Sequence, residues 1–503
     1  MDELDAGVKG LLNRLEELKN SYQPIQRLHH DIIIEVATHL DPRACGGDCL
    51  PLVAMSQVCR YWREALISNS ESWSFISSKF TELVPLFLQR SGSSSLLEVH
   101  LSEDASLHDT IEHLGPHANR LAVLRCDLEE ADITSLVALS RLEHSPNLQT
   151  FSITIHRPPT TAPEEIHMPL VSDEMPRFRK LELLPFPLLP QFTKVTNLTD
   201  VRLDVRYSTL TRVLDFLGAN PSLERVRLLG NFEDDDDTRP EESIFMGRLR
   251  FFTVERCTPC LFLEKLTFPQ NARIFIRYGF VPHTISFAYT LPRSVGRYTN
   301  LQDLSSLHAL VRYPNYTYLD AAGPNGSVAI GYMELQDESA LSAAIATLPT
   351  AAITRLVCEF DPAFTTMSSG RFVRIMDALP LLGEIKLVHF GGADMQNLLS
   401  ALMNTSEWTD LRGLEFVHCR QTAEWVTDLV RVASGRMDAG KMLDSVKVVF
   451  GRGEWVELFD VLRAVVGILA LVEEGAGQIL KSVQEWDDAN CTVTTISVPV
   501  QDD

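Results

Sequence analysis

The chain has 503 residues, 45% hydrophobic and 22% charged, an ordinary globular composition long enough for two or three domains or one extended array. Its 45 basic and 67 acidic side chains leave a formal charge of −22, which argues against a general binder of nucleic acid or of anionic membranes. Nine scattered Cys without framework spacing, and an N-terminus lacking a basic segment before an apolar core, indicate a reduced intracellular protein, cytoplasmic or nuclear.

The first predicted element is an amphipathic helix over 1–23. Leu4, Val8, Leu11, Leu15 and Leu18 make an a/d seam, although Gly7 and Gly10 each weaken the helix by about 1 kcal/mol. The seam lasts under three heptads, so it is expected to pack back onto the next domain. "PIQRLHHDIIIEVATHLDP" follows at 24–42. Asp31 can cap a helix in which Ile32, Ile33, Val36 and Leu40 form one apolar stripe, and Asp41-Pro42 stops it. After the loop "RACGGDCL", the stretch "LPLVAMSQVCRYWREAL" is amphipathic, with Leu52, Met55, Val58, Cys59, Trp62 and Leu66 expected inward. Three short helices cannot bury that many large side chains among themselves. Surplus apolar surface on a small helical unit marks a docking module.

Leu28, Asp31, Ile32, Ile33, Val36, Leu40 and the stop at Asp41-Pro42, then Val58-Cys59-Arg60-x-Trp62-Arg63 and a closing Trp73, resemble the F-box, in its fungal variety. His29 stands where that family usually has Pro, which removes a rigid helix start. The resemblance covers about residues 24–75. It implies an adaptor-binding set of Leu28, Ile32, Ile33, Val36, Leu40, Pro42, Leu52, Val58, Cys59, Trp62 and Trp73. Two Arg beside Cys59 could lower a thiol pKa. No His or carboxylate sits at an evident pairing distance, and the resemblance makes Cys59 a small apolar side chain beside the anchor Trp62.

From residue 96 onward one pattern recurs: apolar, two residues, apolar, one residue, apolar. It starts at 96, 121, 148, 178, 198, 223, 249, 263, 316, 353, 382, 411 and 443, as in "LERVRL", "LGEIKL" and "LRGLEF". The last two apolar positions alternate with a polar one, the period-2 mark of a strand with one buried face. Helical stretches such as "LTRVLDFLGA" lie between, and "SPNL" and "NPSL" stop the preceding helices. A strand–helix unit cannot bury its own face, so neighbours must stack. The array is similar to leucine-rich repeats, whose period is about 20–29 residues. Residues 270–350 break the rhythm and are read as divergent repeats or a projecting loop. "VLRAVVGILALVEE" from 461 is too short to span a bilayer and is read as a buried helix, and "TVTTISVPVQDD" as a last strand with a polar tail.

Chemistry-bearing motifs are sparse. "ERCTPC" (255–260) and "HLDPRACGGDC" (39–49) each lack the partner pair a structural zinc site needs, so no metal or cofactor is expected. "EDDDD" at 233–237 reads as a solvated loop. No nucleophile elbow, phosphate-binding Gly loop or H-E-x-x-H arrangement is present in the sequence.

The expected fold is α/β: a helix at 1–23, an all-α F-box at 24–80, a leucine-rich-repeat-like solenoid of parallel strands and helices at 81–490, and a cap and tail at 491–503. The expected function is non-enzymatic, that of the substrate-receptor subunit of an SCF-type ubiquitin ligase. The F-box would hold a Skp-type adaptor, and through it the cullin–RING ligase, while the repeats bind a target protein; no nucleic acid or membrane is involved. The alternative is a repeat-based scaffold that binds the adaptor without cullin. Polar positions facing the target would include Glu98, Gln149, Thr150, Lys180, Asp200, Arg225 and Lys265. The acidic array as a whole favours a basic target.

Overall fold

The computed structural model describes residues 7–12, 14–15, 19, 22, 28–40, 48–102, 107–130, 139–142, 145–157, 175–189, 192, 195–230, 243–256, 263–280, 298–312, 316–333, 340–360, 367–404, 408–419 and 423–450, with the backbone of 468–473, 482–486 and 493–496. The chain is mixed α/β and most of its strand pairs are parallel. It divides into two compact units, Met1–Asn220 and Pro221–Asp503. Among the described residues no helix is long and apolar enough to cross a membrane.

In the first unit, residues 7–12 are helical, but Val8, Leu11 and Leu15 are 50–64% exposed. These three seam residues are thus not packed as expected, and Leu4 and Leu18 lie outside the described residues. Helices α1 (His30–His39), α2 (Leu50–Met55) and α3 (Arg60–Ser68) come next, followed by a short strand β1 (Phe75–Ser77). β1 pairs in parallel with β2 (Leu97–Ser102), and the parallel ladder runs on through β3 (Leu121–Glu130), β4 (Thr150–Arg157), β5 (Lys180–Leu184) and β6 (Asp200–Asp204). Helices α4 (Val84–Arg90), α5 (Leu107–Leu114) and α6 (Leu210–Ala219) lie in the connections and after β6. Thr209 caps α6 through a hydrogen bond from the Arg212 amide at 3.3 Å.

The apolar–x–x–apolar start of each repeat has a structural cause. Its first apolar residue closes a turn: the amides of Leu148, Phe178 and Leu382 donate to Ser145, Met175 and Leu379 three residues back. Pro146, Pro176 and Pro380 stand at the second turn position, where their fixed φ suits the bend. The carbonyl of the next residue then accepts two amides from the following strand. Gln149 receives Arg179 and Lys180, and Arg179 receives Thr199 and Asp200, at 2.8–3.0 Å. In the second unit Glu224, Ser305, Thr354, Gly383 and Arg412 repeat this arrangement.

The second unit opens with β7 (Arg225–Leu229), β9 (Phe251–Glu255) and β11 (Arg273–Phe280) in parallel. β8 (Ile244–Phe245) and β10 (Leu266–Thr267) form a separate two-stranded ladder, so the repeat expected at 263 does not join the main sheet. β11 pairs with β14 (Gly326–Met333), which is antiparallel to β13 (Tyr316–Gly323), itself antiparallel to β12 (Ser306–Arg312). The repeat expected at 316 is thus a hairpin strand. Gly323 and Gly326 flank its turn, and a side chain on either would collide with the backbone carbonyl of Asp303 or Asn300. From β12 the parallel ladder resumes through β15 (Arg355–Phe360), β16 (Glu384–Val388), β17 (Gly413–Val417), β18 (Ser445–Phe450) and β19 (Ile468–Glu473). Residues 468–473, read from sequence as part of a buried helix, are a strand; a short continuous apolar run carries no period that separates the two. β20 (Ser482–Trp486) and β21 (Val493–Ile496) follow antiparallel, as the expected last strand. Helices α7 (Ala340–Ala346), α8 (Ser369–Asp377), α9 (Gly392–Asn404) and α10 (Ala423–Asp438) alternate with β15–β18.

In the ladder β7 pairs with β9 and β9 with β11, and Val226 of β7 is 2% exposed. Replacing Val226 with Asp buries an unpaired carboxylate at a cost on the order of 3–5 kcal/mol. Peptide-resolved hydrogen exchange is expected to show lost protection in β7, β9 and β11 with β16–β18 largely preserved. Equal loss over 225–450 would contradict nearest-neighbour dependence.

Candidate functional site

The three N-terminal helices pack around Ile33 and Ala37 of α1, Leu52 and Met55 of α2, and Trp62, Ala65 and Leu66 of α3, all buried. The Tyr61 hydroxyl donates to the Leu28 carbonyl at 2.9 Å, and its ring lies 4.8 Å from that of His30. Arg63 Nε donates to the Ser56 carbonyl at 3.1 Å and so ties α3 to the end of α2. Trp73 is fully buried. Its indole N–H donates to the Leu66 carbonyl at 2.9 Å, Phe87 of α4 meets its ring edge-on at 5.1 Å, and the Arg90 guanidinium lies 4.2 Å from the ring centre.

The residues expected to form one docking face fall into three groups by burial. Ile33, Leu52, Trp62 and Trp73 are interior; Leu28, Leu40 and Cys59 are half-buried; Ile32, Val36 and Val58 are exposed by 48%, 37% and 53%. Pro42 lies outside the described residues. The single stripe on α1 resolves into Ile33 and Ala37 facing in and Ile32 and Val36 facing out, two i,i+4 pairs offset by one residue. Val58 was expected inward, but residues 56–59 form the turn between α2 and α3, which breaks the helical phase and turns Val58 to solvent. Cys59 begins the next helix, where its Sγ accepts the Trp62 amide at 3.4 Å. Leu50 and Ile67, 47% and 43% exposed, were not singled out in the sequence because neighbouring Leu52 and Leu66 carry the same stripe.

Next to this unit lies an open cavity of about 580 Å³ lined by Asn69, Ser70, Glu71, Ser72 and Ser95 among others. Its hydroxyls are engaged locally: Ser70 with Ser95 at 2.7 Å, and Ser72 with the Asn69 amide at 3.0 Å. Among the described residues of its lining Glu71 is the one titratable group.

On the strands, alternate residues face out. Glu98 stands 3.4 Å from Arg125, and Thr150, Lys180 and Asp200 share one register row. Arg225 is exposed on β7, whereas Gln149 and Lys265 precede their strands. Arg202 pairs with Glu182 at 2.6 Å. On β16–β18 the Glu415 carboxylate accepts from Lys447 at 2.7 Å and Lys386 at 3.3 Å; burial works against its charge, but the two ammonium groups outweigh it and hold the carboxyl below its ordinary range.

Cys45, Cys257, Cys260 and Cys491 lie outside the described residues, and among those described no group of three or more His, Cys, Asp or Glu is placed to hold a metal. Burial pushes the Cys126 and Cys358 thiols up to about 12, and Cys49 and Cys419 to about 11. A folded-state thiol pKa above the unfolded value of 9.0 favours folding fully below about pH 9, and that advantage is lost as pH rises toward about 12. Site-resolved alkylation at pH 8 is therefore expected to label half-buried Cys59 in the native chain and Cys49, Cys126, Cys358 and Cys419 only after denaturation. Native labelling of Cys126 at the rate of a free thiol would overturn that assignment.

Compared with known proteins, the chain matches no protein-family model and no curated protein.

Proposed function

We propose that the chain is the substrate receptor of an SCF-type ubiquitin ligase, with residues 24–80 as an F-box that docks a Skp-type adaptor and the following strand–helix units as a leucine-rich-repeat-like solenoid that holds the target. One observation carries this reading. The helical unit fills its interior with Ile33, Leu52, Trp62, Leu66 and Trp73, yet leaves Ile32, Val36, Leu50, Val58 and Ile67 on its surface. Exposed aliphatic side chains left uncovered by the described residues of their own unit fit a protein interface. The strand starts shared by both units support the repeat reading, since the same turn and the same double-accepting carbonyl recur along the chain. In such a receptor the chain performs no bond chemistry. It raises the local concentration of target lysines beside the ubiquitin-carrying enzyme.

The division into interior and surface decides how to test this. Trp62→Ala would empty the core and cost about 3–5 kcal/mol of stability, so it reports on folding. Ile32→Asp with Val58→Asp changes exposed positions alone. This double variant is expected to melt like the parent and to lose adaptor binding by more than tenfold in a pull-down with purified Skp-type adaptor, since anchors at interface centres contribute about 2 kcal/mol or more each. Full retention of adaptor by the folded variant would sink the assignment. Cullin recovered together with the adaptor separates a ligase receptor from a scaffold.

A further inference from the structure

On β7, β9 and β11 the outward residues carry a charge opposite to that of the chain as a whole. On β7, β9 and β11 the residues Val226, Leu228, Phe252, Val254, Ile274 and Ile276 are buried, so the alternate positions face solvent. Register places Arg225, Phe251 and Arg273 in one row, Arg227, Thr253 and Phe275 in the next, and Leu229, Glu255 and Arg277 in the third. Four guanidiniums thus share a face with one carboxylate from these three strands, Glu255, which stands 2.7 Å from Arg227, and with Asp320 of β13, where burial raises the carboxyl and nearby Arg273 acts against that rise. Arg225, Arg273 and Arg277 are exposed. Phe251 is 44% exposed, and the half-buried Phe275 ring lies 6.1 Å from that of Tyr318 on the neighbouring hairpin.

We propose that this face binds a short acidic segment of another protein in extended conformation. Two of its carboxylates, four residues apart, meet Arg273 and Arg277, and a hydrophobic side chain midway between them lies on Phe275. The spacing is that of the strand itself. Residues 273 and 277 are about 13 Å apart at roughly 3.3 Å per residue, and an extended peptide presents its first, third and fifth side chains on one side with the same repeat. Guanidinium groups suit carboxylates because their paired N–H donors match the two oxygens. A long polyanion fits less well: beyond the patch it meets a chain of net charge −22, whereas a short segment stays within about one Debye length, roughly 8 Å, of the arginines. The net charge favours a basic target, but the local field at this face has the other sign. As a statement about a ligase target the inference rests on the receptor reading above; as a statement about a binding face it stands on the geometry alone.

The test uses the full chain and a fluorescein-labelled peptide, Ser-Glu-Ser-Phe-Ser-Glu-Ser, followed by anisotropy. A counterpart with Lys for both Glu, and a twelve-nucleotide oligo-dT, are measured beside it. The Glu peptide is expected to bind, the Lys peptide to bind at least tenfold more weakly, and the Arg273→Glu, Arg277→Glu variant to lose at least tenfold in affinity for the Glu peptide. Arg212→Glu, an exposed position on α6 of the first unit, is expected to change nothing. Equal affinity for the two peptides, unchanged affinity in the reversal variant, or tighter binding of the oligonucleotide would overturn the proposal. If the reversal variant loses its cooperative melt, Arg277→Gln carries the same test, with a threefold loss expected and an unchanged affinity counting against it. The same variants are assayed for adaptor binding. Peptide binding without adaptor binding would sink the receptor reading alone, and adaptor binding without peptide binding would sink this one alone.

Discussion

At seven strand starts a backbone carbonyl accepts two amides from the strand that follows, and much of the parallel ladder is registered by that contact. At Gln149, Arg179, Glu224, Thr354, Gly383 and Arg412 the acceptor is the residue after the first apolar position, and the donors are the second and third residues of the next repeat. Because the contact is between main-chain atoms, it tolerates Gln, Arg, Glu, Thr or Gly at that position. It also fixes register, and a slip by one residue would turn every side chain of a strand to the opposite face. The buried row of Val226, Phe252 and Ile274 and the displayed row of Arg227, Thr253 and Phe275 are both consequences of it.

The helical unit obeys a different constraint. It is too small to enclose its own apolar residues, and Trp73 commits it to the strands that follow. The ring is held by Leu66 from the helices and by Phe87 and Arg90 from α4, and the next residue, Ser74, accepts the Glu98 amide at 3.0 Å. That contact begins the β1–β2 pairing, so α3 and the first ladder are built on one side chain. With Trp62 and Trp73 both turned inward, the apolar surface that remains is aliphatic: Ile32, Val36, Leu50, Val58 and Ile67. If that surface docks a partner as proposed, its contribution comes through area removed from water, at roughly 25 cal/mol per Å².

Much of the strand framework was legible because the first, fourth and sixth positions of each repeat must be apolar whatever lies between them. Ser306–Arg312 was missed although Leu304, Leu307 and Ala309 keep the spacing, with Ala in the place of a larger residue. Arg273–Phe280 was missed because Asn271 stands where the first apolar residue belongs. The hairpin of β13 and β14 was hidden by its own regularity: both strands alternate as repeats do, and the direction of pairing leaves no mark on a period of two. Its one local signal was Gly-Pro-Asn-Gly at 323–326, a turn in sequence. In the helices, apolar spacing marks positions on a stripe but not the angle of the stripe to its neighbours. That angle decides whether Ile32 or Ile33 is the surface residue.

The display positions illustrate a broader limit on reading function from a repeat. Buried positions are constrained by volume and leave a pattern; outward positions are constrained by a partner that the sequence does not contain. Net charge summed over the chain averages across faces, so it cannot report that Arg225 and Arg273, distant in sequence, lie two strands apart in one row with Phe251 between them. Register converts that sequence separation into a distance of about 10 Å at about 4.8 Å between strands. Glu182 beside Arg202 on the first unit's sheet, and Glu415 beneath Lys386 and Lys447 on the second's, show the other outcome, in which opposite charges meet and largely neutralise one another. Where that cancellation is complete, the face offers a partner little field. On β7, β9 and β11 the four guanidiniums outnumber the one carboxylate those strands carry, and under the proposal above that local excess is what an acidic segment would meet.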